Sequence, residues 1–232
     1  TLGWVQDDKI VLTPSFYNAS EYDFVTVDSQ VSGLITPKAG GLPAFTHYGD
    51  VSADADVDMR SWALHMTRNI RIVSGINNDT YGFRVLVMGT PVRTGSVIFR
   101  GVEFVDGGQA DPEKAALHFW NTPNTQVGSS VELCSFARCN GNCLRLVNNA
   151  NVSVSNNVFV EGRKFIVYAE RQKDYSFINN IMTGALVSRN LAAQLNNTNV
   201  PEEIACYFQP SGFDYLAGSA NTVMGNMCVG SQ

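Results

Sequence analysis

Charge is scarce in this chain. Asp, Glu, Lys and Arg make up 16% of its 232 residues, well under the usual quarter. The formal net charge is −5, and no cluster of Lys or Arg interrupts it, which argues against a nucleic-acid partner. No apolar run reaches the roughly 18 residues that a spanning helix needs, so no membrane insertion by this segment is expected. There is no P-loop and no G-x-S-x-G nucleophile elbow. The five cysteines (Cys134, Cys139, Cys143, Cys206 and Cys228) include no C-x-x-C pair, and their spacing does not suit zinc. Asp50, Asp54, Asp56 and Asp58 form an acidic run, but EF-hand spacing and its terminal Glu are lacking. No metal and no cofactor is implied. Helical periodicity is also missing almost throughout.

What is present is apolar and repetitive. Apolar residues make up 44% of the chain, enough for a continuous core. Asn156-Asn157 is followed 23 residues on by Asn179-Asn180, and Asn226 lies 46 residues beyond Asn180. Val154 and Phe159 keep phase with Phe177 and Met182, and then with Val223 and Cys228; Val131 and Phe136 fit one step back. A period in the low twenties carried by short apolar runs is a solenoid signature. Strands are expected at Asn69–Val73, Tyr81–Met88, Val97–Phe99, Val102–Phe104, Leu117–Trp120, Val131–Phe136, Cys143–Val147, Val152–Phe159, Phe165–Ala169 and Tyr175–Met182. Gly or Asn at the corners tolerates left-handed backbone.

The expected fold is all-β: a right-handed parallel β-helix whose coils lie about 4.8 Å apart, the usual strand spacing. Corner asparagines can then stack, each side-chain amide bonding the next. Residues 1–65 read as a less regular N-terminal β section leading into the coils, with strands at Lys9–Leu12, Tyr22–Val27 and Val31–Ile35. Residues 66–232 read as the coils. An insertion near 184–204, with a short helix from Ala185 to Leu195, would make the step from Asn180 to Asn226 two coils. The chain opens at Thr1-Leu2-Gly3-Trp4 without an initiator methionine, so it is expected to be a piece of a larger protein. Other segments of that parent, or neighbouring subunits, would cover its open strand edges.

Four N-x-[ST] sequons, at Asn18, Asn78, Asn151 and Asn196, suggest a secreted, glycosylated chain. Cys206 and Cys228 lie about one period apart. They could stack as a disulfide or simply be two buried small hydrophobes.

Several blocks, in order along nearly the whole chain, resemble one family. Trp4 with Lys9-Ile10-Val11-Leu12-Thr13-Pro14-Ser15 and Glu21 is similar to its W-x-x-G-D-x-I-V-I opening. Phe45-Thr46-His47-Tyr48-Gly49 is similar to its H-x-G step. Asp58-Met59-Arg60 followed by Thr67-Arg68-Asn69-Ile70-Arg71-Ile72 resembles its D-M-R block and the T-R-N-I run after it. Gly101-Val102-Glu103-Phe104, Gly107-Gly108-Gln109 and Leu117-His118-Phe119 resemble V-E-F, G-Q and H-F-H. Ala205-Cys206-Tyr207-Phe208 completes the span. The family is the extracellular β-helix module of fibrocystin, fibrocystin-like proteins and the cell-migration-inducing hyaluronan-binding proteins. Three positions depart from it: Trp120 stands at the second histidine, Asp7-Asp8 at G-D, and Trp62 where an acidic residue often follows. The resemblance implies an extracellular or cell-surface location, ciliary or flagellar for the fibrocystin-like branch. The lost histidine points to that branch, which has no established chemistry, rather than to the branch linked to hyaluronan depolymerisation.

The resulting expectation is a non-enzymatic scaffold or adhesion module that binds protein or extracellular glycan. One alternative is a polysaccharide-cleaving enzyme, which needs paired acid–base groups across a sugar. Its candidates are Glu103, Asp106 and His118, with Gln109 beside them, and they must converge in one groove. Another alternative is a fibre or coat subunit. Glu161, Arg163, Glu170 and Arg171 read as exposed ion pairs. Trp4, Trp62, Trp120, Phe16, Tyr17 and Tyr22 are candidate sugar-stacking rings; most should be core or capping residues, and a row of them exposed on one sheet would favour stacking.

Overall fold

Strands of period two, separated by residues that accept left-handed backbone, set the path of this chain. The computed structural model describes residues 3–15, 18, 20–50, 60–75, 81–90, 93, 95–109, 114–122, 128–163, 165–186, 204–210 and 222–229. Within them, Leu186, residues 204–210 and Val229 are placed as backbone only.

Four strands come first: β1 (Lys9–Leu12), β2 (Asp23–Val31), β3 (Leu34–Pro37) and β4 (Ala63–His65). They form an antiparallel sheet in the order β3-β2-β1-β4. The stretch Val31–Ile35 is a hairpin rather than the single strand expected. Ser32 and Gly33 both take positive φ, 50° and 86°, the geometry a two-residue type I′ turn requires.

The remaining strands are β5 (Ile70–Val73), β6 (Val85–Met88), β7 (Ile98–Arg100), β8 (Val102–Val105), β9 (Leu117–Thr122), β10 (Ser129–Glu132), β11 (Ser135–Ala137), β12 (Leu144–Ala150), β13 (Val152–Ser155), β14 (Val158–Arg163), β15 (Phe165–Lys173), β16 (Ser176–Ile178), β17 (Ile181–Leu186), β18 (Ile204–Pro210), β19 (Thr222–Met224) and β20 (Met227–Val229). Every third strand returns to the same sheet, and all of these pairings are parallel. Sheet I holds β7, β10, β13, β16 and β19. Sheet II holds β5, β8, β11, β14, β17 and β20. Sheet III holds β6, β9, β12, β15 and β18. The structure is therefore all-β with three parallel sheets, visited in turn, and no helix among the described residues.

The side chains between the sheets are apolar ladders. Phe104, Phe136 and Phe159 stack from successive strands of sheet II at 4.5 and 4.7 Å, with interplanar angles of 7° and 18°. Val131, Val154 and Phe177 face them from sheet I, and Leu117, Phe119, Leu144, Leu146, Val167 and Ala169 from sheet III. Burying each large side chain stabilises by about 1.5–3 kcal/mol.

The corner from sheet I to sheet II repeats with least variation. Gly101, Leu133, Asn156, Asn179 and Gly225 all take left-handed φ there, between 53° and 65°. At Gly225 the requirement is also steric, because a Cβ would lie 2.2 Å from Asn179 Oδ1. After three of these residues comes an asparagine of the expected ladder. Asn157 Nδ2 donates to Asn180 Oδ1, and Asn180 Nδ2 to Asn226 Oδ1, each at 2.9 Å. Asn180 thus contacts Asn226 directly, while β16 pairs with β19 and β17 with β20. The 46-residue step is one long coil, not the two expected. Ala185 and Leu186 continue strand β17; the rest of the expected helix lies outside the described residues.

The N-terminal sheet does not simply extend the coils. Val11, Leu64 and Met66 pack on Ala137 and Val160, which lie on the outer face of sheet II. Arg68 ties the crossing by donating to the carbonyls of Leu133, His65 and Thr67 at 2.6, 3.0 and 2.9 Å. The outer face of sheet II is thereby roofed. The outer face of sheet III carries the exposed rings considered next.

Candidate functional site

The expected acid–base residues are not brought into one groove. Glu103 is on the outer side of β8 in sheet II and is 3% exposed. Its carboxylate accepts from Arg71 Nε at 2.7 Å. Asp106 stands at the next corner with φ of 57° and receives a two-pronged contact from Arg138, at 2.8 and 3.0 Å. His118 is on β9 in sheet III, with its side chain opposite to the inward Leu117 and Phe119. Gln109 pairs through its backbone with Tyr81 and Lys114. Two carboxylates each bound to an arginine, on different elements from the imidazole, do not form an acid–base pair across a sugar.

A Ser–His–Asp arrangement that the sequence spacing did not reveal lies in the N-terminal section. His47 Nε2 is 2.8 Å from Asp23 Oδ2, and Ser61 Oγ is 3.4 Å from His47 Nδ1. Nucleophilic catalysis needs a ring nitrogen that accepts from the serine. Here Nδ1 faces the Thr13 carbonyl at 3.0 Å, and Ser61 Oγ donates to that same carbonyl at 2.6 Å. Ser61 Oγ is committed to the Thr13 carbonyl, and its approach to Nδ1 is the longer contact. The cluster is a lock: it holds the start of the loop after β1 to the segment entering β4. Beside it, Gly49, Arg60, Ser61, Trp62 and Ala63 line an open depression of about 350 Å³.

This lock has an acid signature. Burial pushes the Asp23 carboxyl up, but hydrogen bonds from His47 and from the backbone N–H groups of Phe45 and Ala44 outweigh it and leave the carboxyl below its ordinary value of 3.8. A depressed folded-state pKa gives stability that is present above the unfolded value and lost as pH falls through the folded one. The N-terminal sheet should therefore lose stability from about pH 4 downward. In urea titrations at pH 6 and pH 3, Asp23→Asn should be less stable than the native chain at pH 6, with the gap narrowing at pH 3. An unchanged gap would rule the lock out.

Sheet III presents the remaining arrangement. Two rows run across its strands on the outer side. One is Leu86, His118, Arg145 and Tyr168; the other is Met88, Trp120, Val147 and Glu170. Leu86, Met88 and Trp120 are 39%, 46% and 47% exposed. His118 stacks against Trp120 with centroids 6.4 Å apart. Arg84 donates to His118 Nδ1 at 2.8 Å, which puts the ring proton on Nε2. The Arg145 guanidinium sits 4.3 Å over the Tyr168 ring, a cation–π contact. Tyr168 donates to Glu170 at 3.0 Å, and Arg171 reaches the same carboxylate at 3.3 Å. Of Glu161, Arg163, Glu170 and Arg171, expected as ion pairs, Glu170 and Arg171 therefore do pair. Glu161 instead hydrogen-bonds Tyr22 of the N-terminal section; burial, and after it the Glu161 carboxylate, push that phenol's pKa up.

The other expected site residues fall as follows. Asn18 and Asn151 are exposed; Asn78 and Asn196 lie outside the described residues, as do Phe16, Tyr17, Asp54, Asp56 and Asp58. Trp4 stacks on His65 at 5.8 Å. Cys206 is opposite Val167 in sheet III and Cys228 opposite Met182 in sheet II, so the two do not share a ladder; the Cys206 side chain lies outside the described ones. Cys139 and Cys143 form a disulfide across a short corner, a pairing the sequence reading did not single out. Among the described residues no group of His, Cys, Asp and Glu could hold a metal ion, and no helix is long and apolar enough to cross a membrane. No family model matches the chain, and no curated protein matches it.

Proposed function

We propose that this chain is a rigid extracellular scaffold, wound as a right-handed parallel β-helix, that binds glycan without cleaving it. The observation that carries this reading is the outer face of sheet III. There a half-exposed Trp120 lies beside an Arg145–Tyr168 pair on strands held in fixed register. Aromatic faces stack on the apolar faces of sugars while neighbouring polar groups fix orientation. The exposed sequons at Asn18 and Asn151 support a secreted location. The ordered resemblance to the fibrocystin-like module supports placement within a larger cell-surface or ciliary glycoprotein. The engagement of Glu103 and Asp106 by arginines supports binding rather than catalysis.

The test is a panel of extracellular and plant polysaccharides, hyaluronan included, measured for retention on the immobilised chain and for new reducing ends. Retention without new reducing ends is the expected result. New reducing ends that vanish in His118→Ala would overturn the non-enzymatic reading in favour of cleavage.

A further inference from the structure

The three sheets begin together and stop together. β7, β5 and β6 are the first strands of sheets I, II and III, and β19, β20 and β18 are the last. The residues before β5 do not lie over that first coil. They pack on Ala137 and Val160, of the later strands β11 and β14, on the outside of sheet II. Ile98 on β7 is 71% exposed. At the other end Val223 on β19 is 51% exposed, although it continues the inward ladder of Val131, Val154 and Phe177.

The backbone at the two ends is in matching phase. In a parallel strand, successive residues present their backbone groups to opposite neighbours. Ser130 N–H donates to the Val97 carbonyl, and Gly101 N–H to the Glu132 carbonyl. Val97, Phe99 and Gly101 therefore face β10, and Ile98 and Arg100 face away from it. Thr222 N–H donates to the Tyr175 carbonyl, and the Met224 carbonyl accepts from Asn179. Val223 between them therefore faces away from β16. Inside the stack, Val154 stands opposite Phe177, and Ser176 and Ile178 flank it. A β7 laid on a β19 repeats that pattern, with Ile98 and Arg100 straddling Val223.

The side chains agree with the backbone. The same register puts Phe99 over Val223 in sheet I and Ile72 over Cys228 in sheet II, each the next step of an inward ladder. Arg71 and Arg100, the cations of β5 and β7, meet no like charge there, because the described side chains of β19 and β20 are all uncharged.

Three edges ending together also select the occupant. A single peptide strand adds to one edge and leaves two uncovered. A second coil of this cross-section covers all three at once, and the opposite end of another copy supplies it. Two like ends meeting about a two-fold axis would run their strands antiparallel and lose the phase described above.

We infer that copies of this chain associate head to tail, the β5, β6 and β7 end of one copy continuing the three parallel sheets of the next beyond β20, β18 and β19. The inference goes beyond the glycan reading and does not depend on it. Such a contact is heterologous and does not close, so it builds a series of sizes rather than a dimer.

The experiment is sedimentation velocity on the full chain over about a hundredfold range of concentration. The native chain should form a ladder of species that lengthens with concentration. Ile98→Pro and Val223→Pro each remove an N–H that faces away from the neighbouring strand, a position where a sheet tolerates proline. Each variant alone should lose every species above the monomer. An equimolar mixture should form a dimer and nothing larger, because each variant keeps the end that the other has lost. Circular dichroism checks each fold, and Ile98→Lys or Thr222→Lys, at exposed positions, replaces a proline variant that does not fold. A native chain that stays monomeric throughout would overturn the inference. So would a dimer that persists in Val223→Pro alone, which marks pairing of like ends, or a mixture of folded variants that stays monomeric. Glycan binding is read separately by the polysaccharide panel.

Discussion

Asn180→Ala should destabilise the chain by about 3 kcal/mol or more. Asn180 is completely buried, and its amide uses every position it has. Oδ1 accepts from the backbone N–H of Asn157 at 3.1 Å and from its Nδ2 at 2.9 Å. Nδ2 donates to the Val154 carbonyl at 3.0 Å and to Asn226 Oδ1. Alanine takes the side-chain acceptor from the Asn157 backbone N–H and removes the donors to the Val154 carbonyl and Asn226, while Asn226 Oδ1 keeps the Asn180 backbone N–H and Asn157 Nδ2 keeps the Val131 carbonyl; each buried orphan costs about 1–3 kcal/mol. Relaxation of the corner recovers part of the sum. For a chain of this size each kcal/mol lowers Tm by about 2–4 °C, so a fall of about 6–12 °C is expected by differential scanning calorimetry. Asn180→Asp should fail as a rescue, since it removes both donors and buries a charge. A loss below about 1 kcal/mol would show that the ladder is not a structural column.

Phe136→Ala should cost about 3–5 kcal/mol, the range for removing a buried phenylalanine side chain. Phe136 is fully buried and lies between Phe104 and Phe159, face to face with both. Its removal deletes two stacking contacts and leaves a void that parallel strands on either side cannot easily close, because their spacing is set by backbone hydrogen bonds. Phe136→Leu refills much of that volume and should retain a measurable urea transition even if the alanine variant does not fold. The midpoint order should be native, then Leu, then Ala. Equal midpoints would place the ring outside the core. Wound structures can lose two-state behaviour, so each titration should be followed by both far-ultraviolet dichroism and tryptophan fluorescence.

These two positions also show what the sequence made legible. Asn156-Asn157 and Asn179-Asn180 repeat because one residue of each pair turns the corner and the other bonds along the column. The column needs asparagine and the corner accepts it, as it also accepts Gly101, Leu133 and Gly225, so the pair leaves a trace in sequence. The inward Phe and Val ladders were legible for the same reason. The extent of Asn180–Asn226 was misread because a long coil and two short ones give the same spacing; only the direct amide contact distinguishes them. The roofing of sheet II by the N-terminal strands left no periodic signal, since Val11, Leu64 and Met66 meet Ala137 and Val160 only after folding. Candidate site residues fared likewise. Glu103 and His118 are close in sequence, yet successive strands belong to different sheets, and proximity along the chain means separation in space. The row Met88–Trp120–Val147–Glu170 was invisible because its members come from four coils of unequal length.

That inequality has a further consequence at the corner between sheets I and II. In sheets I and II, paired residues on adjacent coils are 23, 32 or 46 positions apart, yet this corner always turns within a residue or two of Gly101, Leu133, Asn156, Asn179 or Gly225. All the variation is taken up at the other two corners. The molecule therefore has one seam that sets the pitch and two margins free to lengthen. Foreign loops should graft onto the margins after β8, β9 or β17 with the winding intact, whereas even a single residue inserted beside Asn157 would put every rung above it out of step.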